Sequence, residues 1–142
     1  MNKTDALAAI RRAKSAHIKW RAFAQAMIAG VPMTNDKLPK LHTECEFGKW
    51  YYGDGNRLLG NLDSFRGVEG PHEVLHAIYQ RIFNLLRDGE GETLLDRLIK
   101  SKASRERRRT EQARELMVEL IAVSETLLKS IEILEEEIQG MG

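Results

Sequence analysis

Residues 116–138 read LMVELIAVSETLLKSIEILEEEI, and this stretch decides the fold. Leu116, Leu120, Val123, Leu127, Ile131, Leu134 and Ile138 recur at steps of three and four, which puts them on one stripe of an α-helix. Neither Pro nor Gly interrupts residues 92–138, so the whole region is expected to be helical. Between Lys100 and Glu111 the stripe gives way to Lys102, Arg105, Glu106, Arg107, Arg108 and Arg109. That polar run is either a solvated part of one long helix or a junction between two. A solvated face is the plainer reading of the arginines, ahead of a contact with an acidic partner.

Working outward, Asp88-Gly89-Glu90-Gly91 reads as a turn that ends a preceding helix over about 71–87. Pro71 suits its first position, where no backbone N–H is needed, and Leu75, Tyr79, Ile82 and Leu86 form its apolar stripe. A first helix is expected over 5–29, capped by Thr4 or Asp5 and stopped by Gly30 and Pro32. It places Ile10, Ala13, His17, Trp20, Ala24 and Met27 on one face, so His17 points inward. Residues 31–41 read as a connector, 43–52 as a short helix broken by Gly53-Asp54-Gly55, and 56–70 as loop with a short helix near Leu58. No segment alternates polar and apolar residues with period two. The expected fold is all-α, an antiparallel four-helix bundle with a short extra helix carrying Cys45, in one domain over residues 1–142.

Charge and motif content narrow the function. Lys plus Arg number 22 against 21 Asp plus Glu, a net charge of +1, which gives no electrostatic case for nucleic acid or an anionic membrane. No apolar run reaches the length of a membrane span, and the N-terminus lacks a signal-peptide pattern. No membrane insertion and a cytoplasmic location are therefore expected. The chain has one cysteine, which forbids an internal disulfide and fits a reducing compartment. Gly53-Asp54-Gly55 lacks the spacing of a dinucleotide or phosphate loop, and no GxSxG is present.

The remaining chemistry lies in Cys45 and the histidines. His72 and His76 are four apart on a predicted helix, so both imidazoles share one face. With His17 and Cys45 they make a complete tetrahedral set for Zn²⁺, and the thiolate favours zinc over oxygen-seeking Mg²⁺ or Ca²⁺. The plainer alternatives are hydrogen-bonded core histidines and a cysteine acting as a small hydrophobe. His72-Glu73-Val74-Leu75-His76 also matches HExxH, in which Glu73 would be the general base of a zinc hydrolase. That reading is the weaker one. Tyr79 and Ile82 stand where the metzincin extension needs Gly and His, Glu90 or Glu92 as a third ligand falls in or after a turn, and no strand is available to align a peptide.

Three blocks, in order, resemble the chemoreceptor zinc-binding domain family: Ala16-His17-Ile18-Lys19-Trp20-Arg21, then His42-Thr43-Glu44-Cys45-Glu46-Phe47-Gly48-Lys49-Trp50-Tyr51-Tyr52-Gly53, then His72-Glu73-Val74-Leu75-His76. The resemblance covers residues 10–90; beyond Gly91 the chain is similar only in being helical with an apolar stripe. It implies zinc held by His17, Cys45, His72 and His76 and does not assign His42, which lies three residues before Cys45 and could reach the metal if the short segment is helical, a neighbouring or surface role being the plainer reading. It also implies a regulatory domain of bacterial signal transduction, of the chemoreceptor or diguanylate cyclase type, often homodimeric and not an enzyme. Some members are described as responding to oxidants such as hypochlorous acid through the zinc-bound cysteine, which would be Cys45 here. A structural or protein-interaction bundle without metal sensing is the alternative. No cyclase, kinase or methyl-accepting segment is recognisable in these residues, so the output it regulates stays open.

Overall fold

Three long helices pack side by side, and a ribbon of short helices closes one flank. The structure, a computed structural model, describes residues 2–88 and 93–142. The elements are α1 (Lys3–Ile28), α2 (Glu46–Trp50), α3 (Asn56–Leu59), α4 (Asp63–Arg66), α5 (Glu69–Asp88), α6 (Leu94–Ile99) and α7 (Lys102–Gln139). No strand occurs among the described residues, and the expected all-α bundle is what the chain forms. Most of the expected turn Asp88–Gly91 lies outside the described residues, as do Glu90 and Glu92.

α1 forms as its apolar spacing requires: Ile10, Ala13, His17, Trp20, Ala24 and Met27 are all buried. Its cap differs from expectation. Asn2, rather than Thr4 or Asp5, accepts from the Asp5 N–H, and the Asp5 carboxylate returns to the Asn2 N–H in a capping box. Gly30 ends the helix at φ +89°, a conformation that costs glycine nothing. α5 starts at Glu69, so Pro71 lies within the first turn and not at its first position.

α7 is 38 residues long. Its buried stripe is Ala113, Met117, Leu120, Ser124, Leu127, Ile131, Leu134 and Ile138, a regular alternation of four and three. Leu116 and Val123 are only half-buried, and Met117 and Ser124 take the inner positions instead. Ser124 is tolerated in the core because its hydroxyl accepts from Arg21 at 2.9 Å. The open question over residues 100–111 resolves as a junction. Helicity stops at Lys100 and Ser101, and Ser101 caps α7 by accepting from the Ser104 N–H, so the arginine run rides on the first turns of α7.

Direction follows from the contacts. Lys3 reaches the carbonyls of Gln139 and Met141, and Lys14 pairs with Glu135, so α7 runs antiparallel to α1. α1 and α5 run the same way: His17 meets His72 and His76, Trp20 meets Tyr79, and Met27 shares a cleft with Phe83. The connector and the α2–α4 ribbon therefore return the chain to the end from which α1 set out. Gly53-Asp54-Gly55 does not break the ribbon. Residues 51–55 form a single wide turn, kinked at Gly53, that leads from α2 into α3. Tyr51 holds the ribbon shut, stacked on Phe65 at 4.1 Å and donating to its carbonyl at 2.7 Å.

Leu127 is fully buried in the centre of α7, whereas Val118 on the same helix is 70% exposed. Leu127→Ala should cost about 2–5 kcal/mol in denaturant unfolding, and Val118→Ala less than about 0.5 kcal/mol. Equal losses at the two positions would contradict the packing of α7.

Candidate metal centre

The first fact about the site is a set of lone pairs with nothing to bind. His17, on α1, is fully buried, and its Nδ1 lies 2.7 Å from the Ala13 carbonyl. A carbonyl only accepts, so Nδ1 carries the proton and Nε2 the lone pair. His76, on α5, repeats the arrangement with Nδ1 2.8 Å from the Lys40 carbonyl. Both Nε2 atoms are buried without a hydrogen-bond partner. Such an atom costs roughly 1–3 kcal/mol unless something else meets it.

His72, one turn before His76, presents Nε2 to Cys45 Sγ at 3.4 Å. Cys45 precedes α2 and caps it, its sulfur accepting from the Gly48 N–H at 3.2 Å. One donor atom from each of His17, Cys45, His72 and His76 lies within 4.8 Å of the others. Zn–N bonds of about 2.0–2.1 Å and Zn–S bonds of about 2.3 Å imply tetrahedron edges of roughly 3.4–3.6 Å. The Cys45–His72 edge already has that length, and the other distances require small side-chain adjustments. The donor set therefore fits a four-coordinate zinc ion.

The surroundings fix these donors. The His17 ring meets those of His72 at 4.8 Å and Phe47 at 5.8 Å, and Phe47 meets His72 at 5.1 Å. Trp20 and Tyr79 close the far side, and the Tyr79 hydroxyl holds the connector by donating to the Lys37 carbonyl at 2.6 Å. Phe47 is the inward aromatic of its block, and Trp50 is half-buried at the rim. Gly48 is required by a close approach: a Cβ there would lie 1.8 Å from the His42 carbonyl oxygen. The orienting carbonyls of Ala13 and Lys40 carry no side-chain signature, so sequence reasoning did not find them.

Glu73 is exposed while His72 and His76 are buried. The would-be general base thus points away from the donors, contrary to the hydrolase reading. His42 stands at the edge of the group, its ring 5.7 Å from that of His72, and is not among the four.

The family model described as the chemoreceptor zinc-binding domain matches residues 17–83, which contain all four side chains. Over these residues the chain is similar to that domain family. No curated protein and no solved structure matches the chain. Zinc is the cofactor of this domain, and this chain's three imidazoles and one thiol are positioned to hold a metal ion. No described helix is long and apolar enough to cross a membrane.

Protonation is arranged for such an ion. Burial, then the neighbouring imidazoles, push His72 down to about 2. Burial pushes His76 down to about 4 and lowers His17, in both cases against the pull of the carbonyl hydrogen bond. The imidazoles are thus neutral and ready to ligate near pH 7. Burial raises Cys45, against the Gly48 and Phe47 N–H groups and the Lys40 charge, so the thiol keeps its proton until a metal displaces it. Histidines with lowered folded-state values bind protons preferentially in the unfolded chain. The stability of the metal-free protein should accordingly be complete above pH 6.5, the ordinary histidine value, and fall as the pH drops toward 4. Urea midpoints across that range test this, and a flat profile contradicts it.

Proposed function

We propose that this protein is a zinc-binding regulatory domain of bacterial signal transduction, of the chemoreceptor or diguanylate cyclase type. His17, Cys45, His72 and His76 are its zinc ligands. The observation that carries the reading is the pair of partnerless, buried Nε2 atoms converging with His72 Nε2 and Cys45 Sγ. Four protein ligands close the coordination shell and leave no position for a reacting water, which favours regulation over catalysis. Bound zinc joins two long helices to the ribbon and so adds stability only to the closed arrangement.

In this reading the chain is one cytoplasmic domain over residues 1–142, because α7 packs along both α1 and α5. It works as a homodimer or against a signalling partner. The exposed Leu94, Leu95, Leu98 and Ile99 of α6 offer apolar surface for such a contact. The signal is the zinc level, the oxidation state of Cys45, or both. A cavity of about 140 Å³, lined in part by Lys40, Cys45 and Phe47, admits small molecules to the sulfur. Hypochlorous acid would convert the thiolate to a sulfenic acid and release chloride, the sulfur losing two electrons and gaining the oxygen. With no second cysteine in the chain, no internal disulfide follows.

Calorimetric titration of the metal-free protein should show about one zinc per chain, displacing about one proton at neutral pH, that of the Cys45 thiol. His17→Ala and His72→Ala should weaken binding by more than the roughly 10–100-fold that an outer hydrogen-bond partner is worth. Retention of wild-type affinity in either variant would sink the ligand assignment. Stoichiometric hypochlorous acid should speed zinc transfer to a competing chelator, in step with Cys45 oxidation seen by mass spectrometry. A transfer rate that ignores Cys45 oxidation would remove the redox part of the proposal.

A further inference from the structure

His42 lies beside the corner of the site that Cys45 occupies. The Glu44 and Cys45 N–H groups both bond the Leu41 carbonyl, at 3.0 and 3.3 Å, so residues 41–45 wind as a helical turn. His42 and Cys45, three apart, therefore project to the same side. Cys45 Sγ lies 3.6 Å from the His42 carbonyl. The His42 ring meets the His72 ring edge-on at 5.7 Å and the Tyr52 ring at 5.9 Å, and among the described residues it makes no hydrogen bond. Its main chain is held by the close approach of Gly48. The imidazole is thus free to turn about its own torsions from a fixed anchor, next to a ligand position.

We propose that His42 is a reserve ligand, which takes the place of Cys45 on the metal when the thiolate is lost. This rests on the assignment of the four zinc ligands given above. Imidazole suits zinc as a donor. Glu46, the other donor close to that corner, is highly exposed and paired with Arg12 at 3.4 Å. Exchanging an anionic sulfur for a neutral nitrogen leaves one more positive charge in a buried site, so the four-histidine state grips the ion less tightly. Loss of the thiolate then loosens zinc in a graded way instead of emptying the site.

A double-mutant cycle with zinc alone tests this: chelator competition on wild type, His42→Ala, Cys45→Ser and the double variant. Serine keeps an acceptor for the Gly48 N–H, so α2 stays capped. Removing His42 should cost about tenfold or more in the Cys45→Ser background and clearly less in the wild type. Equal costs in both backgrounds overturn the proposal. Cobalt(II)-loaded Cys45→Ser should keep a tetrahedral absorption spectrum that the double variant lacks, and an octahedral spectrum in Cys45→Ser, with water filling the corner, overturns it as well. Failure of the wild type to bind zinc would instead refute the ligand assignment itself.

Discussion

The rest of the structure depends on one constraint: buried imidazole lone pairs that no protein donor meets. His17 and His76 each spend their Nδ1 proton on a backbone carbonyl, Ala13 and Lys40, and so turn Nε2 inward. A core made only for packing would not aim such atoms at one point, because each carries a desolvation cost and no bond. A cation removes that cost for all of them at once. The Lys40 carbonyl also draws the connector against α5, which brings the following turn and Cys45 into reach. One hydrogen bond thus sets both the tautomer of a donor and the path of the chain that delivers another.

The long helices were legible in the sequence because their signals are local. Spacing of three and four in α1, α5 and α7 reports which side is apolar, and four residues between His72 and His76 fix their shared face. The inward placement of His17 followed from its position on the Ile10–Met27 stripe for the same reason. Three things were not legible. The cap of α1 fell to Asn2 because Asn and Asp three apart satisfy each other's N–H, a reciprocity that a search for single capping residues overlooks. The inner face of α7 is rotated by one residue from Leu116 and Val123 to Met117 and Ser124, since the Arg21 bond makes a serine acceptable inside. The run from Gly53 to Gly55 reads as a breaker, yet one wide turn absorbs it, because Tyr51 and Phe65 stack across the ribbon and hold its two halves together.

The four donors differ in how firmly the fold holds them. His17 lies mid-way along a 26-residue helix and His72 and His76 on a 20-residue one, both packed along α7. Cys45 caps a five-residue helix on the flank. Its position depends on a few contacts: Phe47 against the imidazoles, the Gly48 N–H on the sulfur, and Tyr51 on Phe65. Local opening is cheapest where fewest buried contacts must break. Among the four donors, the thiol therefore sits on the element held by the fewest contacts, and it is also the most chemically reactive of them.

The ribbon that carries Cys45 also reaches the far end of the longest helix. Phe65 of α4 packs under Tyr51, and Ser64, its neighbour, bonds Glu137 near the C-terminal end of α7. α7 continues back along the bundle for 38 residues to the arginine-rich turns and to α6, where Arg108 pairs with Asp96. A helix of that length moves as a stiff rod, about 57 Å from end to end at 1.5 Å per residue. The ribbon thus meets one end of α7, and the other end runs on beyond Ala113, where its buried stripe begins. The histidines belong to α1 and α5, the two helices packed along α7, and share its rigid frame. The sulfur's own connection to α7 runs instead through Phe65 and Ser64 to Glu137, at the end of that helix opposite α6.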